Sequence, residues 1–147
     1  MERAIDARPL DHLPGDRTRI RMIDAIQSPV KEVDSANGET VYPFDLSVVV
    51  PLYNEEENVA LMHKAIVDAV RPLGLRAEIV FVDDGSRDAT FARASLLPKS
   101  DPTLRLIKLR RNAGQTAAMV CGIDHARGRV IVTMDGDLQN DPGDIPL

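Results

Sequence analysis

The 147-residue sequence predicts an α/β fold built on a parallel sheet flanked by helices. Three observations carry that expectation. Short apolar, β-branched runs alternate with helix-length segments in the order β-α-β-α-β-α-β, and the connections are short. The third helical segment carries a stripe of small residues at i, i+4 and i+8, as a helix pressed closely on a sheet requires. Three informative loops, residues 51–55, 83–86 and 135–137, all follow strands, where open parallel sheets place their sites.

Taken in order, residues 1–44 mix charges with Pro9, Pro14, Pro29 and Pro43 and include the turn-prone Ser35-Ala-Asn-Gly38. They are expected to be a mostly flexible leader, with weak helical character at 19–26 where Ile23 and Ile26 fall in register. Order is expected over 45–147, starting with the strand Leu46-Ser-Val-Val-Val50. After it, Asn54 is a suitable N-cap and Glu57 its capping-box partner, opening a helix with Val59, Met62, Ile66 and Val70 on one stripe. That helix ends before Pro72 and Gly74. Glu78-Ile-Val-Phe-Val82 is the second strand. Gly85 permits a tight turn after it, and Ser86 can cap a helix running to about Leu97. Leu104 to Leu109 is the third strand. A helix over 115–127 aligns Ala118, Gly122 and Ala126 and stops at Gly128. Val130-Ile-Val-Thr-Met134 then reads as a buried strand.

Composition narrows the function classes. At 147 residues there is room for one domain. A net charge of -5 speaks against nucleic acid bound through a basic face, and aromatics at 3% against a stacking surface. The single cysteine, Cys121, cannot form an internal disulfide, so a reducing, cytoplasmic setting is the simpler expectation. The first residues lack a signal-peptide layout, and no apolar run approaches the ~20 residues that span a bilayer.

The last strand stops at Asp135-Gly-Asp137. Two carboxylates straddling a glycine can turn to one side of a bend, suited to a hard cation, Mg²⁺ or Mn²⁺, and the phosphates it carries. Alone, such a pair is a common solvated turn; its place after a strand favours a site. Asp83 and Asp84 follow the second strand, where a carboxylate can accept from a base N–H or a ribose hydroxyl. Tyr53 can stack on a base, and Glu55 can reach a ribose or base edge, although an acid in a helix first turn is also favoured by the macrodipole alone. Arg110, Arg111 and Asn112 could face phosphates or simply be solvated. Cys121 reads as a small core residue, His63 and His125 as helix residues without a catalytic role, and His12 is uninformative.

Together, Pro51-Leu-Tyr53-Asn54-Glu55, Val82-Asp83-Asp84-Gly85-Ser86-Arg-Asp88-Ala-Thr90, Arg111-Asn112-Ala-Gly114 and Asp135-Gly-Asp137-Leu-Gln139-Asn-Asp141-Pro142 occur in an order and spacing that resembles the family-2 inverting glycosyltransferases of the GT-A (Rossmann-like) fold. The polyprenyl-phosphate (dolichol- or undecaprenyl-phosphate) branch is the most similar, and the match covers residues 46–147. The resemblance implies a UDP- or GDP-sugar donor held near Pro51, Tyr53, Glu55, Val82 and Asp84. It implies a metal-diphosphate group held by Asp135, Asp137 and Gln139, with Asp135 and Asp137 as metal ligands central to catalysis. It further implies inversion at the anomeric carbon by an acceptor oxygen. A polyprenyl phosphate would bring an anionic oxygen; a sugar hydroxyl would need a carboxylate base, for which no candidate is evident.

Members of the family continue well past the position of Leu147, so the expectation is a donor-binding half, truncated after the D-x-D strand. Such a half should bind nucleotide weakly and not turn over, with the truncated sheet edge as a self-association surface. The full-length form would then sit peripherally at the cytoplasmic face of the membrane. The alternative is a catalytically inactive nucleotide-binding or regulatory module. A dinucleotide-dependent dehydrogenase is excluded by the absence of G-x-G-x-x-G after the first strand, and no P-loop is present. An aspartyl phosphatase would carry its D-x-D on the first strand rather than the fourth.

Overall fold

The structure, a computed structural model, describes residues 22–23, 32–100, 102–139 and 141–145. Its elements are β1 (Met22–Ile23), β2 (Glu32–Val33), β3 (Thr40–Val41), β4 (Phe44–Leu52), α1 (Val59–Val70), β5 (Ala77–Asp83), α2 (Thr90–Ser95), β6 (Thr103–Leu109), α3 (Gln115–His125) and β7 (Gly128–Thr133). Single 3-10 turns follow α1 (Arg71–Leu73) and β7 (Pro142–Asp144).

The sheet runs β1-β6-β5-β4-β7, with β4 through β7 all parallel and β1 antiparallel on β6. β4 lies between β5 and β7, in register Val49↔Val80 on one side and Val49↔Thr133 on the other. Side chains alternate across the strand, and the two sets enter separate cores. Leu46, Val48, Val50 and Leu52 join Ile79 and Phe81 under Val59, Met62 and Ile66 of α1. Val49 joins Val80, Val82 and Ile107 under Ala118 of α3. Full burial of each such side chain is worth about 1.5–3 kcal/mol. α3 sits close because Gly122 has no side chain: a Cβ there would lie 2.3 Å from Val49 Cγ1. The small-residue stripe therefore has the packing role expected of it.

Several local expectations are corrected. The weak helix expected at 19–26 is not what β1 shows, since Met22 and Ile23 pair antiparallel with Leu109 and Lys108; the rest of that segment lies outside the described residues. Within the expected leader, β2 and β3 pair around the Ser35–Gly38 turn, as Val33↔Thr40 shows. α1 begins at Val59 rather than at a capping box on Asn54, because Asn54 adopts a left-handed φ of 52° and its side chain accepts from Arg87 N. α2 is a six-residue helix capped by Ala89, not by Ser86, whose hydroxyl accepts from Asn54 N at 2.9 Å. α3 ends at His125, and Gly128 opens β7 instead of ending a helix. β7 was expected to be buried. Among the described residues it is an edge strand, paired with β4 alone, and Val130 and Ile131 are partly exposed.

Candidate functional site

The three carboxylate-bearing loops meet at the carboxyl edge of β4, β5 and β7. Asp84 N donates to Leu52 O at 2.8 Å, joining the ends of β5 and β4. Gly136 comes so near β4 that a Cβ on it would lie 2.7 Å from Pro51 O, so glycine is required between the two aspartates. Gly85 has a φ of 70°, and a Cβ there would meet the Arg111 carbonyl carbon at 2.4 Å. The turn after β5 is thus pressed against the loop after β6.

Asp84 is buried, and its carboxylate accepts from Ala113 N (2.7 Å) and Gly114 N (3.0 Å). These charge-assisted bonds fix the 110–114 loop and with it the start of α3. Each oxygen keeps a further lone pair. Asp83, next to it, is also buried; its Oδ1 accepts from Ser86 N at 3.4 Å, and its Oδ2 has no hydrogen-bond partner among the described residues. Burial pushes the Asp83 carboxyl above its ordinary value, against the pull of the Ser86 hydrogen bonds and of Lys108.

The loop after β4 is tied by several hydrogen bonds to the segment that leads into α2. Asn54 exchanges bonds with Ser86 and Arg87, Glu55 N donates to Thr90 Oγ1 (2.8 Å), and Ala89 N donates to Glu56 Oε2 (3.0 Å). Tyr53 is left 41% exposed above this framework, so its ring is available to a ligand. Glu55 is half-buried and accepts from Asn58 Nδ2 at 2.9 Å.

On the far side of β4, Asp135 is half-buried and accepts from Gln115 Nε2 at 2.6 Å, while Asp137 is exposed and accepts from Gln139 N at 3.0 Å. Leu138 takes a left-handed φ of 62°, and with Asn54 it makes up the described non-glycine residues at positive φ. Both strained positions lie in these loops, a placement typical of sites whose backbone geometry is imposed.

The fold therefore brings Tyr53, Glu55, Asp84, Asp135, Asp137 and Gln139 to one edge of the sheet. Pro51 is buried beneath the D-x-D turn. Val82 is wholly buried in the α3-side core, so its side chain packs rather than faces the cleft. Gln115 was not among the residues singled out from sequence. His63 is buried edge-on to Phe81, with burial lowering its pKa, and His125 sits against Cys121 O, so both belong to packing. Burial raises the Cys121 thiol to about 11, which leaves it protonated and inert at neutral pH.

Among the described residues no three His, Cys, Asp or Glu side chains form a closed metal cage. The two hard carboxylates of the D-x-D turn fit a divalent cation whose coordination is completed by a ligand's phosphates. No helix among the described residues is long and apolar enough to cross a membrane.

Comparison with known proteins agrees with this geometry. The sequence model of the family described as Glycosyl transferase family 2 matches residues 47–147. A dodecaprenyl-phosphate galacturonate synthase of Rhizobium johnstonii is 47% identical over 122 residues, 82% of this chain and 36% of that protein. An undecaprenyl-phosphate 4-deoxy-4-formamido-L-arabinose transferase of Pseudomonas paraeruginosa is 43% identical over 107 residues, covering 71% of this chain and 32% of its own length. The chain thus spans about a third of the length of these relatives. Among solved structures, a mannosyltransferase from Pyrobaculum calidifontis in complex with GDP-Man and Mn²⁺ superposes with a TM-score of 0.57 at 27% identity, over 65% of this chain and 28% of that one. S. aureus TarS in complex with UDP-GlcNAc gives a TM-score of 0.55 at 25% identity, over 63% and 26%.

Proposed function

The chain belongs to glycosyl transferase family 2, and from that premise we propose that residues 45–147 form the donor-binding part of a polyprenyl-phosphate glycosyltransferase. The donor is a UDP- or GDP-sugar, transfer proceeds with inversion, and the acceptor is a polyprenyl phosphate. The observation that carries this reading is the convergence of the loops after β4, β5 and β7, with Asp84 facing one side of β4 and Asp135 and Asp137 the other. The names of the two curated relatives support the lipid-phosphate acceptor.

In this reading Tyr53 and Glu55 receive the base and ribose, and Asp84 accepts from the nucleoside with its remaining lone pairs. Pro51 and Val82 shape the floor from below. Asp135 and Asp137 would hold Mg²⁺ or Mn²⁺, with Gln139 beside the diphosphate. When bound, that cation neutralises charge on the leaving nucleoside diphosphate. The fixed loops hold the donor in one orientation, so that an acceptor oxygen approaches the anomeric carbon from one face. A phosphate oxygen is already anionic, and the described residues need supply no base to it. The protein works in the cytoplasm, peripheral to the membrane that carries the lipid acceptor.

The test is titration of UDP and GDP, with and without Mn²⁺, into the chain and into Asp137→Ala, followed by addition of a donor sugar and polyprenyl phosphate. Binding that requires Mn²⁺ and disappears in the variant is expected, and the favoured diphosphate names the base. No product is expected, because the remaining two thirds of the relatives' length has no counterpart in these residues. A folded chain that binds neither nucleotide would overturn the donor reading.

A further inference from the structure

Two carboxylates on opposite sides of the cleft are joined through one loop. Asp84 holds Ala113 N and Gly114 N, at 2.7 and 3.0 Å, so the backbone is pinned immediately before α3. The next residue, Gln115, is exposed, and its Nε2 donates to Asp135 Oδ1 at 2.6 Å. The side chain that reaches the D-x-D turn thus starts from a point fixed by the turn after β5.

A carboxylate beside a glycine has free side-chain torsions, and a donor on one oxygen selects one orientation. The chemical nature of the donor matters. An amide fixes the carboxylate without neutralising it, whereas a lysine or arginine in the same place would compete with a cation for the same charge. Partners of this kind orient metal ligands and commonly carry a tenfold or greater share of metal affinity.

We propose that Gln115 is a positioning residue of the metal-diphosphate subsite. It holds Asp135 as a ligand by neutral hydrogen bonding, and the Asp84-anchored loop ties that orientation to the nucleotide side of the cleft. This rests on the donor reading of Asp135 and Asp137. Gln115 touches neither nucleotide nor metal in this account; it acts through Asp135.

The experiment uses the whole 147-residue chain, with Gln115→Met, which keeps the length and loses the amide, and Asp137→Ala for comparison. Free Mn²⁺ is followed by its EPR signal during titration in the presence of UDP or GDP. Nucleotide affinity without metal and thermal melting are measured alongside. Gln115→Met is expected to weaken Mn²⁺ binding about tenfold, with metal-free nucleotide affinity and melting unchanged. If Gln115→Met binds Mn²⁺ as the wild type does while Asp137→Ala does not, the inference is overturned and the donor reading stands. If the wild type takes up no Mn²⁺ with either nucleotide, or Asp137→Ala takes it up equally well, the donor reading falls and the inference falls with it.

Discussion

The two ends of the parallel sheet both carry carboxylates, and they treat them in opposite ways. At the amino end, Glu78 of β5 is wholly buried and saturated with donors. Its Oε1 accepts from Ser47 Oγ (2.7 Å) and Arg127 N (2.6 Å), and its Oε2 from Arg105 (3.3 Å) and Arg127 Nε (3.2 Å). Arg105 also donates to His125 O, and Gly128 N to Ser47 Oγ, so the cluster fastens the turn from α3 into β7. At the carboxyl end, Asp135 and Asp137 are half-buried and exposed, and each is held by a neutral N–H, from Gln115 and Gln139. A carboxylate closed in by two guanidiniums has nothing left to offer a ligand; one oriented by amides keeps its charge. The contrast separates the end that holds the fold from the end that can take a cation.

The largest expected effect is at the closed end. Glu78→Ala would leave the buried Arg105 and the mostly buried Arg127 without their counter-charge. Removing one partner of a buried pair costs about 3–5 kcal/mol, so denaturant melts should show a loss of that size, and Glu78→Gln a smaller one. An Ala variant within about 0.5 kcal/mol of wild type, the range of ordinary surface changes, would mean that this end is no more structural than the other.

Asp84 stands between the two cases, buried like Glu78 but bonded by backbone amides at the site. Asp84→Ala leaves two N–H groups without their acceptor, at a cost of about 1–3 kcal/mol. Hydrogen exchange should then quicken at Ala113 and Gly114 before other amides respond. Unchanged protection at those two amides would show that the 110–114 loop is held by something other than the carboxylate.

How much of this was legible in the sequence follows from the range of each interaction. The four parallel strands of the sheet could be read because apolar runs and period-two alternation are local, and the Ala118-Gly122-Ala126 stripe because helix spacing is local; β1, in a segment read as weakly helical, could not. The cap at Asn54 could not: its side chain serves Arg87 and its backbone N serves Ser86, both more than 30 residues away. β7 looked buried because its composition is that of a core strand, and only the strand order makes it an edge. Glu78 read as the first residue of an apolar strand, since its partners lie 27, 31 and 49 residues distant. Gln115 read as an ordinary helix start for the same reason, its partner being 20 residues on. The site loops were legible as motifs, but the hydrogen bonds that join them belong to the tertiary fold.

The smallest effect, with the opposite sign, is expected at Asp83. It is as buried as a core residue, yet its Oδ2 has no hydrogen-bond partner among the described residues, and burial holds its carboxyl above the ordinary value of 3.8. The folded chain therefore keeps this proton more tightly than the unfolded chain does. Stability should fall as pH rises from about 3.8 through the raised folded value, and the deficit is complete above it. Asp83→Asn removes the charge and can still accept from Ser86 N. It should raise stability at pH 7, with no gain at pH 3.5. Thermal melts of both proteins across that range decide the matter. Curves that run parallel would mean that the Asp83 charge is compensated in the fold, and the carboxyl end would then resemble the amino end more than its geometry suggests. Curves that converge at low pH would place a net electrostatic cost beside Asp84, at the end of the sheet where uncompensated charge is what a cation site requires.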